Sequence, residues 1–413
     1  MPNLLSINAY HYVRGGADVC YFEHAALFER QGWGASYFSM HHDENLPSPD
    51  SSYFAENIDY HKPGPKLQKL LHAGRIVYSF EARGKIGALL DSRRIDIAHV
   101  HNIYHHQSPS ILAELKRRGI PTVMTAHDLK IACPNNKMMN RTGVCERCKG
   151  GKVWNVARFR CVQDSAAASM LIAIESAVHK ALDLYQRNLD RIVTPSRFYR
   201  DKLIEWGWDA DKIVHIPNFM PSLPQVEPTP GGDYLLYFGR LAPEKGVATL
   251  VRAAAISGIP VVVAGTGPEE AALLRLIAEL DAPVRLVGFQ KGDALWRWVD
   301  GARAVVLPSE WYENGPMSTI EAFARGKPLL GAAIGGIPEL IVPGETGWSF
   351  PSGDAAALAA AMGRVLATSE GELGRMATAT RRFASTEFAP STYYERIEKL
   401  YAGLGVSADR SAR

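Results

Sequence analysis

Short apolar segments alternate with amphipathic segments along most of the chain. Runs of apolar and β-branched residues, too short for helices, predict strands at 4–9, 35–39, 96–100, 121–125, 191–193, 213–216, 234–238, 260–264, 284–287 and 304–307. Apolar residues at helical spacing predict helices at 17–31, 109–118, 165–187, 247–257, 269–280, 293–300 and 391–401. Because strands that alternate with helices form parallel sheets, the pattern predicts an α/β fold.

The alternation is interrupted once, near the middle of the chain. The interruption is a proline-rich stretch, 221–230, which ends in Gly231-Gly232 and has the composition of a linker. A chain of 413 residues is also too long for one ordinary core. We therefore predict doubly wound domains at 1–218 and 233–388, a linker at 219–232, and a C-terminal segment at 389–413. Ligands of such sheets bind at the carboxyl ends of the strands, in a cleft between the domains.

Composition and charge narrow the function classes. No apolar run approaches the roughly 18 residues that span a bilayer, and the N-terminus lacks the basic region of a secretory signal, so we expect a cytoplasmic protein. The formal net charge of +3 is too small to favour nucleic acid. The segment 62–94 is basic with interleaved apolar residues. It could contact an anionic membrane surface, or it could be a solvated helix face.

Two glutamates flank a predicted strand-to-helix turn. The strand 304–307 runs into a loop that contains Glu313, and a helix beginning near Met317 carries Glu321. A helix N-terminus offers unpaired N–H groups to a phosphate, and carboxylates beside it can accept hydrogen bonds from sugar hydroxyls. The alternative is a pair of ordinary acidic residues that the helix dipole favours. This alternative explains Glu321 less well, because Glu321 lies beyond the first turn.

A pair of cations follows the first strand of the second predicted domain. Gly239-Arg240 and Lys245-Gly246 are separated by four residues, directly after the strand 234–238. Arginine can bind a diphosphate with two hydrogen bonds, and lysine can act as a point charge.

Together these motifs resemble the retaining glycosyltransferases of the family-4 type (glycosyltransferase group 1), and within them a bacterial subgroup with a four-cysteine insertion. The resemblance implies the GT-B fold: two Rossmann-like domains, an interdomain cleft and a C-terminal helix that crosses back to the first domain. It implies transfer of a hexose-type sugar from a UDP- or GDP-sugar to a glycan or lipid-linked acceptor hydroxyl. The anomeric configuration would be kept and no catalytic metal would be needed. The basic segment 62–94 adds the expectation of cell-envelope or exopolysaccharide synthesis on the inner face of the plasma membrane.

The resemblance also assigns residues. Arg240 and Lys245 would hold the donor pyrophosphate, Glu313 the sugar hydroxyls, Glu321 the ribose, and His127 would lie close to the transferred sugar. The other donor-binding positions would be Gly15, Gly16, Gly265, Gly288, Phe289, Gly315, Met317 and Ser318. Pro316 departs from the family pattern and removes one N–H donor from the phosphate site. The histidine-rich residues 99–106 could contact the acceptor.

Four of the five cysteines lie close together in an insertion at 130–162. Cys133, Cys145, Cys148 and Cys161 include one C-x-x-C pair, which predicts a structural zinc ion with four thiolate ligands. Free or redox-active thiols are the competing interpretation.

Two other functions remain open. A nucleotide-sugar 2-epimerase would share the fold, although the paired Arg240/Lys245 and Glu313/Glu321 motifs disfavour it. A catalytically silent nucleotide-sugar-binding partner of an assembly complex would be expected to lack Arg240, Lys245 or Glu321, and all three are present.

Overall fold

The computed structural model describes residues 1–57, 73–224 and 231–408, and the chain divides into two compact units. The first unit comprises Met1–Ile216 and the residues from Tyr393 onward, and the second comprises Pro217–Thr392. Each unit contains one six-stranded parallel sheet with helices packed against it. The α/β expectation of two Rossmann-like domains is therefore confirmed.

The sheet of the first unit has the strand order β2-β1-β3-β4-β7-β8. Its strands are β1 Asn3–Ile7, β2 Gly34–Phe38, β3 Ile97–Val100, β4 Thr122–Thr125, β7 Arg191–Thr194 and β8 Ile213–His215. A separate antiparallel hairpin pairs β5 Met139–Asn140 with β6 Gly143–Val144. All six predicted strands of this unit are present, and β3 and β4 are buried along their whole length, as expected of a sheet covered on both faces.

Seven of the helices around this sheet have both ends within the described part of Met1–Ile216. They are α1 Gly16–Arg30, α2 Phe80–Ser92, α3 Tyr104–Gln107, α4 Ser110–Arg117, α5 Asn155–Arg158, α6 Ala166–Ala181 and α7 Arg197–Glu205. Serine side chains cap α2, α6 and α7 by accepting a backbone N–H of the first turn. The helix predicted at 165–187 ends at Ala181, and Asp183 just beyond it has a left-handed conformation with φ +49°.

The sheet of the second unit has the order β11-β10-β9-β12-β13-β14. Its strands are β9 Leu235–Phe238, β10 Val261–Ala264, β11 Val284–Leu286, β12 Ala304–Leu307, β13 Leu329–Ala332 and β14 Gly347–Phe350. The helices are α8 Val247–Ser257, α9 Glu270–Leu280, α10 Gly292–Gly301, α11 Met317–Ala324, α12 Ala355–Ala367 and α13 Glu370–Glu387. The apolar runs of the sequence predicted β9 to β12, whereas β13, β14, α12 and α13 were not predicted.

The last helix, α14 Pro390–Ala402, returns to the first unit as the GT-B resemblance implied. Tyr393 and Tyr401 are buried there, and both hydroxyls form hydrogen bonds with the His24 ring on α1, at 2.9 and 3.0 Å. These contacts anchor the C-terminal helix to residues nearly the whole chain length away.

The basic segment 62–94 is described only in part, because 58–72 lie outside the described residues. In the described part four arginines form ion pairs within the fold. The pairs are Arg75–Glu56, Arg83–Glu114, Arg93–Asp50 and Arg94–Asp96. This pairing favours the solvated helix face over the membrane surface for this part. Across the described ranges no helix combines the length and apolar character needed to cross a bilayer.

Candidate active site

The basic motif that contains Lys245 and the acidic motif that contains Glu313 meet at the carboxyl ends of β9 and β12. Lys245 ends a short 3-10 turn after β9, and Glu313 lies in the loop between β12 and α11. The Lys245 ammonium donates to Glu313 Oε1 at 2.6 Å, and the Ser309 hydroxyl donates to the same oxygen at 2.7 Å. Residues that are distant in sequence thus form one polar cluster.

Glu313 is a buried but ionised carboxylate. Only 4% of the residue is exposed. Burial by itself raises the pKa of Glu313, but the Lys245 ammonium and the hydrogen bonds from Lys245 and Ser309 outweigh it, so the pKa lies below its usual value. A carboxylate held in this way can accept hydrogen bonds from a ligand near neutral pH.

Arg240 is oriented by an acid that sequence reasoning missed. Its guanidinium forms an ion pair with Glu244, whose side chain is 2% exposed, whereas the Arg240 side chain is 58% exposed. The Glu244 carbonyl also accepts the N–H of Glu310 at 2.9 Å, which ties the loop after β9 to the loop after β12. The ion pair with Glu244 holds one side of the Arg240 guanidinium. The exposed side of the guanidinium can form hydrogen bonds with a diphosphate.

Glycines allow these loops to pack closely. Gly246 has φ +65°, and a Cβ there would lie 1.9 Å from the Pro308 carbonyl oxygen. Gly335 has φ +61°, and a Cβ there would lie 2.5 Å from the Glu313 backbone nitrogen. The next residue, Gly336, donates its N–H to the Glu313 carbonyl at 2.8 Å. Glycine is therefore required at both positions for the loops after β9, β12 and β13 to converge on Glu313.

Glu321 differs electrostatically from Glu313. It lies within α11, one helical turn beyond the start of the helix, and burial raises its pKa to about 7. The helix begins at Met317, as predicted, and the Pro316 carbonyl accepts the N–H of Thr319 at 3.1 Å. Met317 and Ser318 lie in the first turn, where backbone N–H groups have no acceptor within a helix.

The remaining donor-binding candidates of this unit lie on the same edge of the sheet. Gly265 follows β10, and its N–H donates to the Gly288 carbonyl after β11 at 2.8 Å. The neighbouring Phe289 is 68% exposed. The Gly315 carbonyl accepts a hydrogen bond from the Asn218 amide at 3.0 Å. The structure therefore places all of these candidates at the carboxyl ends of parallel strands, where α/β sheets bind ligands.

In the first unit, the turn between β1 and α1 is organised by Asp18. Its carboxylate accepts the N–H groups of Arg14 and Gly15 at 3.0 and 3.1 Å, and the Asn8 amide at 2.9 Å. Gly15 is extended, with φ −172°, and a Cβ there would meet no atom within 4 Å. Gly15 is therefore not required by the backbone conformation, and its N–H is already used inside the turn.

His127 follows β4 and contacts a second histidine. The Nε2 atom of His127 lies 2.8 Å from Nδ1 of His101, which follows β3, and the two rings are stacked with centroids 5.2 Å apart. Burial lowers the pKa of His127 to about 4, so its imidazole is neutral near pH 7. The expectation that the histidines at 99–106 contact an acceptor is wrong for His99 and His101, because both are buried, at 0% and 1% exposure.

Two family models match the chain in succession. Residues 14–221 match the family described as Glycosyltransferase Family 4, and residues 222–383 match the one described as Glycosyl transferases group 1. The first match alone covers just over half of the chain. The chain belongs to glycosyltransferase family 4. Its second match includes Arg240, Lys245, Glu313 and Glu321.

The names of two curated relatives of this family-4 chain refer to polysaccharide synthesis. The amylovoran biosynthesis glycosyltransferase AmsK of Erwinia amylovora is 31% identical over 227 residues, which are 51% of this chain and 55% of the relative. A glycogen synthase of Mycobacterium tuberculosis is 32% identical over 242 residues, 55% of this chain and 58% of the relative. The alignments thus span little more than half the length of these relatives.

Solved structures agree with the fold over almost the whole family-4 chain. Anabaena Alr3699/HepE in complex with UDP and glucose covers 98% of this chain and 100% of its own, with a TM-score of 0.66 and 17% identity. Sucrose-phosphate synthase from Thermosynechococcus elongatus has a TM-score of 0.69 and 20% identity, with 98% and 99% coverage. At these identities the likeness concerns the fold alone.

The four clustered cysteines of the family-4 chain are free thiols. Cys133 and Cys148 share a hydrogen bond between their side chains, which raises the pKa of Cys133 and lowers that of Cys148. Among the described residues, no three or more His, Cys, Asp or Glu side chains form a group that could hold a metal ion. The structure therefore does not show the predicted zinc site, and Cys133, Cys145, Cys148 and Cys161 form no disulfide.

Proposed function

We propose that the protein is a retaining glycosyltransferase that moves a hexose-type sugar from a nucleotide-diphosphate sugar to an acceptor hydroxyl. The single observation that carries this proposal is the Lys245–Glu313 contact of 2.6 Å at the carboxyl ends of β9 and β12. It joins the two motifs of the family in one cluster, beside Arg240.

The roles of the residues follow from their charges. Arg240 and Lys245 would bind the diphosphate and stabilise the charge that develops on it as the sugar leaves. The α11 N-terminus, through Met317 and Ser318, would add backbone N–H donors. Glu313 would accept hydrogen bonds from the sugar hydroxyls and Glu321 from the ribose. His127, with Gly15 and Gly16, would approach the transferred sugar.

The proposed reaction breaks the bond between the anomeric carbon and the diphosphate oxygen. A new bond forms between that carbon and the acceptor oxygen, on the face that the diphosphate leaves. The acceptor hydroxyl proton passes to the departing diphosphate, so the products are a glycoside and a nucleoside diphosphate.

The biological setting extends this proposal. The names of several relatives refer to polysaccharides: amylovoran, colanic acid and glycogen. They support a glycan or lipid-linked acceptor in cell-envelope or exopolysaccharide synthesis. Solved structures of the same fold were obtained with UDP or UDP-glucose, which supports a UDP-sugar as the first donor to test. The same proposal includes that the protein acts at the inner face of the plasma membrane.

Release of nucleoside diphosphate from a panel of UDP- and GDP-sugars tests the proposal. The wild-type protein should release UDP or GDP from one donor, and faster when a glycan acceptor is present. Product anomers assigned by NMR spectroscopy should have the configuration of the donor. Inverted product would overturn retention. Tight donor binding without release from any donor would favour the silent binding partner, and conversion to the 2-epimer would favour the epimerase.

Matched variants locate the reaction. Lys245→Met should lower kcat/KM by about 100-fold or more, because removing a positioned charge from developing oxyanions costs several kcal/mol. Lys399→Met is the control, since Lys399 is an exposed lysine on α14. If both variants retain the wild-type rate, Lys245 does not bind the leaving group and the proposed site is wrong.

A further inference from the structure

Four imidazole rings form a column in the first unit. The rings belong to His24 on α1, His99 on β3, His101 after β3 and His127 after β4. Successive centroids are 4.2, 5.1 and 5.2 Å apart. Side chains two residues apart in a strand share a face, and β3 pairs with β4, so 99, 101, 125 and 127 project to one side of the sheet. The strand geometry therefore brings His99, His101 and His127 to one side of the sheet, and α1 adds His24.

One end of the column is held by hydrogen bonds from several elements. The Tyr401 hydroxyl lies 3.0 Å from His24 Nε2 and 2.5 Å from His99 Nδ1. The Thr125 hydroxyl lies 2.7 Å from His99 Nε2. Both ring nitrogens of His99 and both of His24 thus have partners, which leaves little freedom for these rings to rotate.

His101 differs from His24 and His99 in the hydrogen bonds of its ring nitrogens. Its Nδ1 atom lies 2.8 Å from His127 Nε2, whereas its Nε2 atom is buried and has no hydrogen-bond partner among the described residues. A buried N–H group without an acceptor is rarer in folded proteins than an acceptor without a donor. The proton of a neutral His101 therefore belongs on Nδ1, from which it is donated to His127 Nε2.

We propose that His101 is a positioning residue that fixes the orientation and tautomer of His127, so that His127 carries its proton on Nδ1. The reason is that a neutral imidazole has one N–H, and His127 Nε2 is used as the acceptor from His101. The effect of His101 on turnover rests on the proposed function, whereas the tautomer itself does not.

The tautomer is measurable without any substrate. In protein labelled with 15N-histidine, long-range 1H–15N correlation spectra distinguish Nδ1–H from Nε2–H imidazoles, and the His127→Gln variant identifies the His127 signals. The wild-type spectrum should show His127 protonated on Nδ1. An Nε2–H tautomer of His127 in the wild-type protein would overturn the inference, whatever the variants do.

Two substitutions at the same position separate the hydrogen bond from simple packing. His101→Asn retains an amide donor near the position of Nδ1, whereas His101→Leu has none. His101→Leu should move the His127 proton to Nε2 and lower kcat for nucleoside diphosphate release by about 10- to 100-fold, the loss typical when the hydrogen-bond partner of a metal-bound histidine is removed. His101→Asn should keep the Nδ1–H tautomer and most of kcat.

The matched control is His215→Asn. His215 ends β8 in the same sheet, and burial likewise lowers its pKa. This variant should leave both the His127 spectrum and kcat unchanged. An unchanged His127 tautomer in His101→Leu would contradict the inference. If His101→Leu does not fold, the wild-type spectrum and His101→Asn decide the question.

The two proposals can fail separately. An Nδ1–H tautomer at His127 without turnover of any donor would leave the positioning inference standing and refute the proposed reaction. Turnover with an Nε2–H tautomer would refute the positioning inference and leave the reaction standing.

Discussion

Two glutamates of the second unit have opposite pKa shifts although they flank the same loop and helix start. Lys245 keeps Glu313 ionised, whereas burial raises the pKa of Glu321 to about 7. Pairs of carboxyls whose environments separate their pKa values are a mark of functional sites. At the residue scale the charge state of each glutamate is therefore set by its surroundings.

Glu321 should make the second unit less stable as the pH rises. The unfolded carboxyl ionises near pH 4.5 but the folded one only near pH 7, so the free energy of unfolding falls between these values, by about 3 kcal/mol in total. Glu321→Gln removes this dependence, and the variant should exceed the wild type in stability at pH 8 but not at pH 4. Urea denaturation across that range measures the difference.

The control for this series is Glu279→Gln, at an exposed position of α9. Its difference from the wild type should stay within about 0.5 kcal/mol at every pH, as is usual for surface substitutions. A pH-independent difference for Glu321→Gln would contradict the raised pKa.

Gly246 gives a second prediction at this scale, because steric contact and backbone conformation can be separated. Gly246→Ala places a Cβ 1.9 Å from the Pro308 carbonyl oxygen, in addition to its left-handed φ of +65°. Gly258 has almost the same φ, +69°, but a Cβ there meets no atom within 4 Å. We expect Gly258→Ala to lower the free energy of unfolding by about 1 kcal/mol and Gly246→Ala to lower it by about 3 kcal/mol or more.

Thermal and urea unfolding measure both costs, and nucleoside diphosphate release measures the effect on the neighbouring Lys245. Only Gly246→Ala should lower activity, because only that substitution pushes the loop after β9 away from the loop after β12. Equal costs for the two variants would show that the Pro308 contact is relieved without strain.

At the scale of elements, sequence patterns predicted most of the sheets but less of what connects them. Uninterrupted apolar runs, such as the one that became β12, are diagnostic because a parallel strand is buried on both faces. β14 was missed because only its first and last residues are buried, so the apolar run is broken. The helix predicted to 187 was too long, because periodicity does not reveal that Asp183 turns left-handed.

The candidate site was predicted where a motif is recognisable and missed where contacts depend on loop conformation or strand register. Arg240, Lys245 and Glu313 come from recognisable patterns. Glu244 and Asp18 contact residues only three or four positions away, but the sequence does not show the loop conformation that turns their carboxylates towards these partners. The pairing of His101 with His127 depends on which side chains the strand register brings together. Sequence spacing alone does not contain that register.

The cysteine-containing insertion is anchored by a buried ion pair. Lys130 donates to Glu175 on α6 at 2.8 Å and to the Pro134 carbonyl at 3.0 Å, and the Glu175 side chain is fully buried. Removing one partner of a buried pair leaves an uncompensated charge. Glu175→Gln should therefore cost about 3 to 5 kcal/mol, whereas Lys130→Met combined with Glu175→Met should cost less than the sum of the single variants.

The control is an exposed pair from the same region. Lys149 of the insertion donates to Glu205 of α7 at 2.5 Å, but the two side chains are 45% and 41% exposed. Glu205→Gln should cost less than about 1 kcal/mol. Urea denaturation at pH 7 compares the two pairs. Equal losses of unfolding free energy in Glu175→Gln and Glu205→Gln would show that Lys130 and Glu175 are more hydrated than their burial indicates.

At the scale of the whole molecule, histidine is confined to one unit. All 13 histidines lie between His11 and His215, and the second unit has none. Burial holds most of the described ones neutral. The pKa values of His11, His106, His127 and His215 fall to about 4, and those of His24, His99, His101 and His179 are also lowered, with burial as the largest cause.

This asymmetry predicts that mild acid destabilises the first unit alone. An unfolded histidine gains its proton near pH 6.5, whereas the folded His11, His106, His127 and His215 gain it only near pH 4. The lowered pKa values of the other four act in the same direction, so the first unit loses stability as the pH falls below about 6.5. The second unit should not lose stability over the same pH range. The raised pKa of Glu321 makes that unit more stable, not less, as the pH falls from 7 to 4.5.

Differential scanning calorimetry from pH 7.5 to 5, with hydrogen–deuterium exchange to assign each transition, tests this. Peptides from β3 and β4 should lose protection against exchange at a lower temperature as the pH falls, while peptides from β9 and β12 should not. The second unit serves as the internal control, since it shares temperature, salt and buffer but lacks histidine. A parallel decrease in both units would mean that the acid sensitivity resides in carboxylates rather than in the buried imidazoles.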